Sequence, residues 1–329
     1  MNKNYKKILL FLSISFIAIG LLVYYLFFPL ILNFLEKRHC SKVANELDLS
    51  CNTLTVGENV FEFFEGGKGK EVMILIHGFE GNKLSWLSFL PDLKENYHLI
   101  VLDLPGHGGS NLLKNHKLNI YGFSEDLITF VNAKGLTSFH LFGQSMGGGV
   151  CSLYAYKRPD TIKTLILLNP LGVDLPEKSS LLKKTDEGKN FLFPQNITEL
   201  DEFGLLLMGK PFSWNNFQKW IVLQNIKQKE ELYSVIYNNF FENTVPIDNI
   251  LPSLNVPVLL LYGEKDNILP PSSFKKFHNL IPKIRTKVFE KGHHIFLGGC
   301  LKEAIEEINT VTQTGIEQKM LITSAAPQG

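Results

Sequence analysis

The tightest constraint on this chain is a set of short apolar runs that end in glycine-bearing turns and alternate with helical patterns. Residues 72–76 form an unbroken apolar run closed by His77-Gly78. A strand with no polar face must be covered on both sides, which suits a parallel sheet wrapped in helices. Further strands are read at 99–104, ended by Pro105-Gly106, and at 139–142, 164–168, 257–262 and 285–289. Helical spacing occupies 84–93, 123–131, the stretch from Ser145 onward, 274–280 and 302–311. Residues 53–56 and 60–64 flank Gly57-Glu58-Asn59 as a hairpin. This alternation predicts an α/β fold: a mostly parallel central sheet with helices on both faces.

The rhythm breaks at 171–250, which has no strong strand signal and is rich in Leu, Phe and Trp, including Leu205, Leu206, Leu207, Trp214, Phe217 and Trp220. A structureless loop that long is improbable inside a compact domain, so a helical lid inserted over the sheet is expected. The α/β domain is placed at 53–312, with 313–329 as a disordered tail. At 329 residues and 45% hydrophobic content the chain can bury one large core. A formal net charge of +1 gives no electrostatic case for a nucleic-acid partner. Cys40, Cys51, Cys151 and Cys300 show no metal-ligand spacing. Cys40 and Cys51 would pair only in an oxidising compartment, and four unpaired thiols is the plainer reading.

Residues 8–35 carry no charge. As a helix they would reach about 42 Å, against a hydrocarbon core of about 30 Å. The stretch is too long for a usual signal-peptide core and has no A-x-A-like cleavage site, so an uncleaved transmembrane anchor is expected. Lys3, Lys6 and Lys7 on one flank match Lys37, Arg38 and Lys42 on the other. Orientation therefore rests on the short N-terminal tail, which favours a catalytic domain on the extracytoplasmic side.

Gly143-Gln144-Ser145-Met146-Gly147 matches G-x-S-x-G between a strand and a helix. Such a turn strains the serine backbone and crowds the residues two before and two after it, which glycine relieves. It presents the Ser145 hydroxyl above the sheet, and the helix N-terminus stabilises negative charge there. A serine nucleophile needs a base, and the base an orienting acid, in chain order Ser, acid, His. Strand 257–262 leads to Gly263-Glu264-Lys265-Asp266, and strand 285–289 leads to Gly292-His293-His294. Asp266 is read as the orienter and His293 as the base, both past the C-terminal ends of strands. Asp174 and Glu264 are rival acids, and His294 is the rival base. Two aimed N–H groups are needed for the oxyanion. These are expected from Met146 and from Phe79, in the loop after His77-Gly78. His77 and His107 read as structural, and Phe79 and Trp86 as candidates to line an acyl pocket, core packing being the alternative for Trp86.

The segments HGFEG, DLPGHGGS, GQSMGG, LLLYGEKD and EKGHH occur in the order seen in the α/β-hydrolase superfamily. The chain resembles that superfamily from about residue 72 to 308. Its apolar N-terminus, the HGF loop, the lid after Asn169-Pro170 and the stretch from Trp86 to Pro91 are similar to the membrane-anchored monoacylglycerol lipases and related bacterial lipases. That resemblance implies a cofactor-free hydrolase of monoacylglycerols or similar lipid esters working through an acyl-enzyme, with Ser145, Asp266, His293, Phe79 and Met146 as its site. The alternatives are a carbon–carbon bond hydrolase of ring-cleavage products, which shares the G-x-S-M-G turn, and a non-catalytic binding protein on the same scaffold.

Overall fold

The computed structural model describes residues 37–174, 177–187, 191–242 and 246–314. The expected anchor over 8–35 and all but the first two residues of the expected tail lie outside the described residues. Among the described residues, no helix is long and apolar enough to cross a membrane. The chain divides into a unit Met1–Val43 and a unit Ala44–Gly329, and the sheet and the site both lie within the second.

Residues 37–46 are helical (α1). The hairpin β1 (Leu49–Val56) and β2 (Asn59–Gly66) follows, then β3 (Glu71–Ile76), α2 (Leu90–Asn96), β4 (Tyr97–Leu102), α3 (Ile120–Lys134), β5 (Phe139–Gln144), α4 (Met146–Lys157) and β6 (Ile162–Leu168). Next come α5 (Ser180–Asp186), α6 (Ile197–Met208) and α7 (Asn216–Tyr237), before β7 (Val258–Gly263), α8 (Pro271–Leu280), β8 (Ile284–Phe289) and α9 (Gly299–Thr314). The eight strands form one sheet in the order β1-β2-β4-β3-β5-β6-β7-β8. The pairs β1–β2 and β2–β4 are antiparallel, and from β4 to β8 every pair is parallel. The α/β fold with a mostly parallel sheet is therefore as the alternation implies.

Several boundaries differ from the sequence reading, two of them at places that bear on the fold. The helical spacing at 84–93 resolves into a 3-10 turn, Lys83–Trp86, and then α2, whose first turn holds Pro91. Proline lacks the N–H an interior helical position needs, so a helix restarts there rather than passing through. The helix α9 continues to Thr314, taking in the first two residues of the expected tail.

The central strands are buried on both faces: the Ile74, Leu75, Ile76, Leu165, Ile166, Leu167, Leu259, Leu260 and Leu261 side chains have no solvent exposure. This is the physical meaning of the unbroken apolar runs. Trp86 belongs to this core, packed on Phe142 and Phe89, and does not stand as a pocket wall.

Lys83 was invisible as a core residue in the sequence, yet it is almost fully buried. Its ammonium donates to Glu62 Oε1 and Asp103 Oδ2, both at 2.6 Å. Its backbone N–H donates to Asp103 Oδ1 at 2.6 Å, and the Gly109 N–H to Asp103 Oδ2 at 2.9 Å. A Cβ on Gly108 or Gly109 would drive into the Asp103 or Glu62 carboxylate. The glycines of DLPGHGGS thus make room for a buried ion triplet that ties β2 to the end of β4.

Candidate active site

The turn between β5 and α4 carries Ser145 at φ 52° and ψ −122°, left-handed backbone that a non-glycine residue adopts only under constraint. The constraint is visible. The Ser145 N–H donates to Leu168 O at 3.0 Å, and its carbonyl accepts from Gly148 at 2.8 Å and Leu171 at 2.9 Å. A Cβ on Gly143 would lie 2.7 Å from Cys151 Sγ, and one on Gly147 would lie 2.5 Å from His77 O. Glycine at both positions lets α4 begin directly against the ends of β3 and β5, with Ser145 at its N-terminus.

The loops after β7 and β8 interlock. The Lys265 N–H donates to Gly292 O at 2.8 Å and the Glu264 N–H to Phe289 O at 3.0 Å. A Cβ on Gly263 would come within 2.5 Å of Gly292 O, so the two turn glycines are what allow this approach. Asp266 Oδ1 accepts the N–H groups of Ile268 at 2.8 Å and Leu269 at 2.9 Å. Its other oxygen, Oδ2, lies 2.7 Å from Nδ1 of His294. An ionised carboxylate has no proton to give, so His294 carries its proton on Nδ1, and Nε2 is left as the acceptor.

This corrects the expected partner of Asp266. The structure pairs Asp266 with His294, while His293 turns toward the insertion. A Cβ on Gly209, the left-handed C-cap of α6, would meet the His293 ring, whose Nδ1 is buried with no hydrogen-bond partner among the described residues. The Ile295 N–H donates to Leu207 O at 2.9 Å, so the histidine loop is stitched to the end of α6. The end of α6 receives the His293 ring and leaves His294 to Asp266. The rival acids fall away from this pair: Glu264 is exposed, and Asp174 is exposed beside Lys276.

Asn169 was missed by sequence reasoning. Just past β6, at φ 44°, its Nδ2 donates to the carbonyls of His293 at 3.0 Å and His294 at 2.9 Å. Its Oδ1 accepts the Gly263 N–H at 2.9 Å. One buried side chain therefore holds the acid loop and the histidine loop together, and the Gln144 amide adds a 3.3 Å bond to His294 O. The only sequence sign was an asparagine before Pro170 at a strand end.

On the opposite side, a Cβ on Gly78 would sit 3.0 Å from Ser145 Cβ, so the loop after β3 presses on the serine. His77 anchors this loop: Nε2 accepts the Leu104 N–H at 3.0 Å and Nδ1–H donates to Gly78 O at 2.8 Å. Burial pushes the His77 imidazole below its ordinary value, opposed by the nearby Asp103 charge, which keeps it neutral as that pattern requires. His107, its neighbour at 5.0 Å between ring centroids, donates to Pro105 O at 3.2 Å and is pushed down further, again mainly by burial. Both are structural. The Phe79 ring packs edge-on against Phe193 and Tyr233 of the insertion, so the loop beside Ser145 and the helical insertion share one aromatic wall.

A strained serine at a helix N-terminus after β5, with acid and histidine loops joined past β7 and β8, sits on a sheet of this order. The family model for the alpha/beta hydrolase fold matches residues 71–298, which includes all three. The chain belongs to the α/β-hydrolase family. It is 27% identical over 266 residues to Lipase 1 of Psychrobacter immobilis, covering 80% of this chain and 83% of the relative. To the monoacylglycerol lipase ABHD6 of Homo sapiens it is 26% identical over 286 residues, covering 78% and 81%. Among solved structures, a bacterial membrane phospholipase A matches with a TM-score of 0.78 at 25% identity, over 95% of this chain and 99% of that one. A Rhodococcus 2-hydroxy-6-oxo-6-phenylhexa-2,4-dienoate hydrolase matches with a TM-score of 0.68 at 18% identity, over 80% and 98%, a likeness of fold alone.

Proposed function

We propose that this α/β hydrolase is a carboxylic ester hydrolase of the lipase type, with Ser145 as nucleophile, His294 as base and Asp266 as its orienter. The observation that carries this reading is the buried His294–Asp266 pair, on loops tied by Asn169 to the strand end beside the strained Ser145. The His294 Nε2 takes the Ser145 hydroxyl proton as Oγ attacks the ester carbonyl, and Asp266 stabilises the imidazolium. The N–H groups of Met146 and Phe79 are the proposed donors to the oxyanion, a reading supported by Met146 opening α4 and by the press of the Gly78 loop on Ser145. The leaving alcohol collects the proton from His294. Water then gives a proton to His294 and attacks the acyl-enzyme; the bond to Ser145 Oγ breaks as His294 returns that proton to Oγ, and the acid leaves.

The proposed substrate is a lipid ester such as a monoacylglycerol. Relatives named as lipases and a monoacylglycerol lipase support this, as does the aromatic wall of Phe79, Phe193 and Tyr233. Residues 8–35 are proposed as a membrane anchor on their length and lack of charge, with the hydrolase domain on the extracytoplasmic side. The test is a panel of esters of increasing acyl length, run on the full chain and on Ser145→Ala. Turnover should fall by about three orders of magnitude or more in the variant. Unchanged turnover refutes the serine mechanism, and activity confined to acetyl and butyryl esters refutes the lipid substrate.

A further inference from the structure

Glu80 lies on the loop that presses on Ser145, and the mechanism above leaves it unused. The loop is a tight turn in which the Gly81 N–H donates to Gly78 O at 3.1 Å. Gly78 packs on Ser145, with a Cβ there 3.5 Å from Ser145 Oγ, and Phe79 faces the insertion. Two residues of chain span at most about 7 Å, so Glu80 belongs to the same tight turn that packs against the serine. It adopts φ 56°, strained for a residue with a side chain. Such strain concentrates where surrounding structure serves a ligand.

The carboxylate is the stronger observation. Glu80 Oε1 is sealed from solvent and has no hydrogen-bond partner among the described residues. Burial pushes its pKa well above the usual carboxylate range. Charged or neutral, a carboxyl oxygen accepts from an alcohol hydroxyl, the kind of partner that Oε1 lacks. An unpaired buried polar group is costly, and a bound ligand that supplies the missing partner removes that cost.

We propose that the Glu80 carboxyl hydrogen-bonds a free hydroxyl on the alcohol part of the ester, so that the enzyme selects polyol monoesters over esters of simple alkanols. This rests on the serine esterase reading and deepens it. The recognised chemistry is a hydroxyl within a few bonds of the scissile ester, as in a monoacylglycerol; a methyl ester of the same acid lacks it. Sites built to bond a substrate hydroxyl reject the analogue without it, because their own group is then left unpaired.

The experiment uses the full chain with 1-monolauroylglycerol and methyl laurate, reading the ratio of their kcat/KM values. Glu80→Leu should lower that ratio about tenfold, the loss of one buried hydrogen bond. Glu80→Gln, whose amide still donates and accepts, should keep it within about threefold of the wild type. A ratio unmoved by Glu80→Leu, including a parallel fall on both esters, overturns the proposal. So does a ratio in Glu80→Gln as low as in Glu80→Leu. If hydrolysis survives Ser145→Ala, the esterase reading and this inference fall together; if hydrolysis depends on Ser145 and the ratio does not move, this inference falls alone.

Discussion

Asn169 reaches the carbonyl of His294 at 2.9 Å while its other amide atom accepts the Gly263 N–H at 2.9 Å. Gly263 is the last residue of β7, three positions before Asp266, so the asparagine spans the two loops that must stay in register for the Asp266–His294 bond to form. The amide is buried, and neither carbonyl nor N–H has water to replace it.

Replacing Asn169 by Ala should therefore act on catalysis more than a distant packing change would. A shift of about 1 Å between reacting groups costs about a hundredfold. Loss of kcat/KM of about ten- to a hundredfold on a short ester is expected, with KM moving little. Asn169→Asp keeps the acceptor for Gly263 but loses the donors to both histidine carbonyls, and should be at least as damaging. Steady-state kinetics on both variants, with circular dichroism to confirm folding, check this.

The ion triplet around Lys83 makes a prediction about stability. Lys83→Met leaves Glu62 and Asp103 buried without their shared cation. Breaking a buried pair from one side costs about 3–5 kcal/mol. Urea unfolding of the variant should show a loss of that size, or failure to fold, whereas breaking an exposed pair such as Lys68–Glu95 should leave the unfolding midpoint almost unmoved.

Acid should weaken the fold through His107 and His77. Both are held below the ordinary value of 6.5, chiefly by burial. The unfolded chain thus binds more protons than the folded one as pH drops, and stability falls with it. The stabilising contribution is complete above about 6.5 and shrinks as pH falls toward the depressed folded-state values. Thermal unfolding followed from pH 8 to pH 5 should show the midpoint dropping below about pH 6.5. In His107→Gln, which cannot be protonated in this range, the drop should be shallower.

The sheet could be read from the chain because its central strands are buried on both faces, which leaves no polar alternation to confuse them. The strained turn at Ser145 and the place of Asp266 past β7 were equally legible, since each follows such a strand through a glycine whose Cβ would strike a neighbouring backbone or side chain. The choice between His293 and His294 was not legible. Both follow Gly292, and what separates them is the packing of α6, more than eighty residues earlier, whose Gly209 receives the His293 ring. Lys83 was hidden for a similar reason. A lysine after Asn82 reads as surface, and its burial depends on carboxylates twenty and twenty-one positions away. Asn169 looked like a loop residue because its three partners come from the end of one later strand and the loop after another.

The central claim is that His294, held by Asp266, is the base for Ser145. The most direct measurement is kcat/KM for hydrolysis of a p-nitrophenyl ester by His294→Ala and His293→Ala, side by side with the wild type. Loss of a triad base costs about three orders of magnitude or more. His294→Ala should lose at least that, and His293→Ala should stay within about tenfold of the wild type, its loss confined to the packing of His293 against Gly209. Near-complete loss in His293→Ala with activity retained in His294→Ala would contradict the assignment.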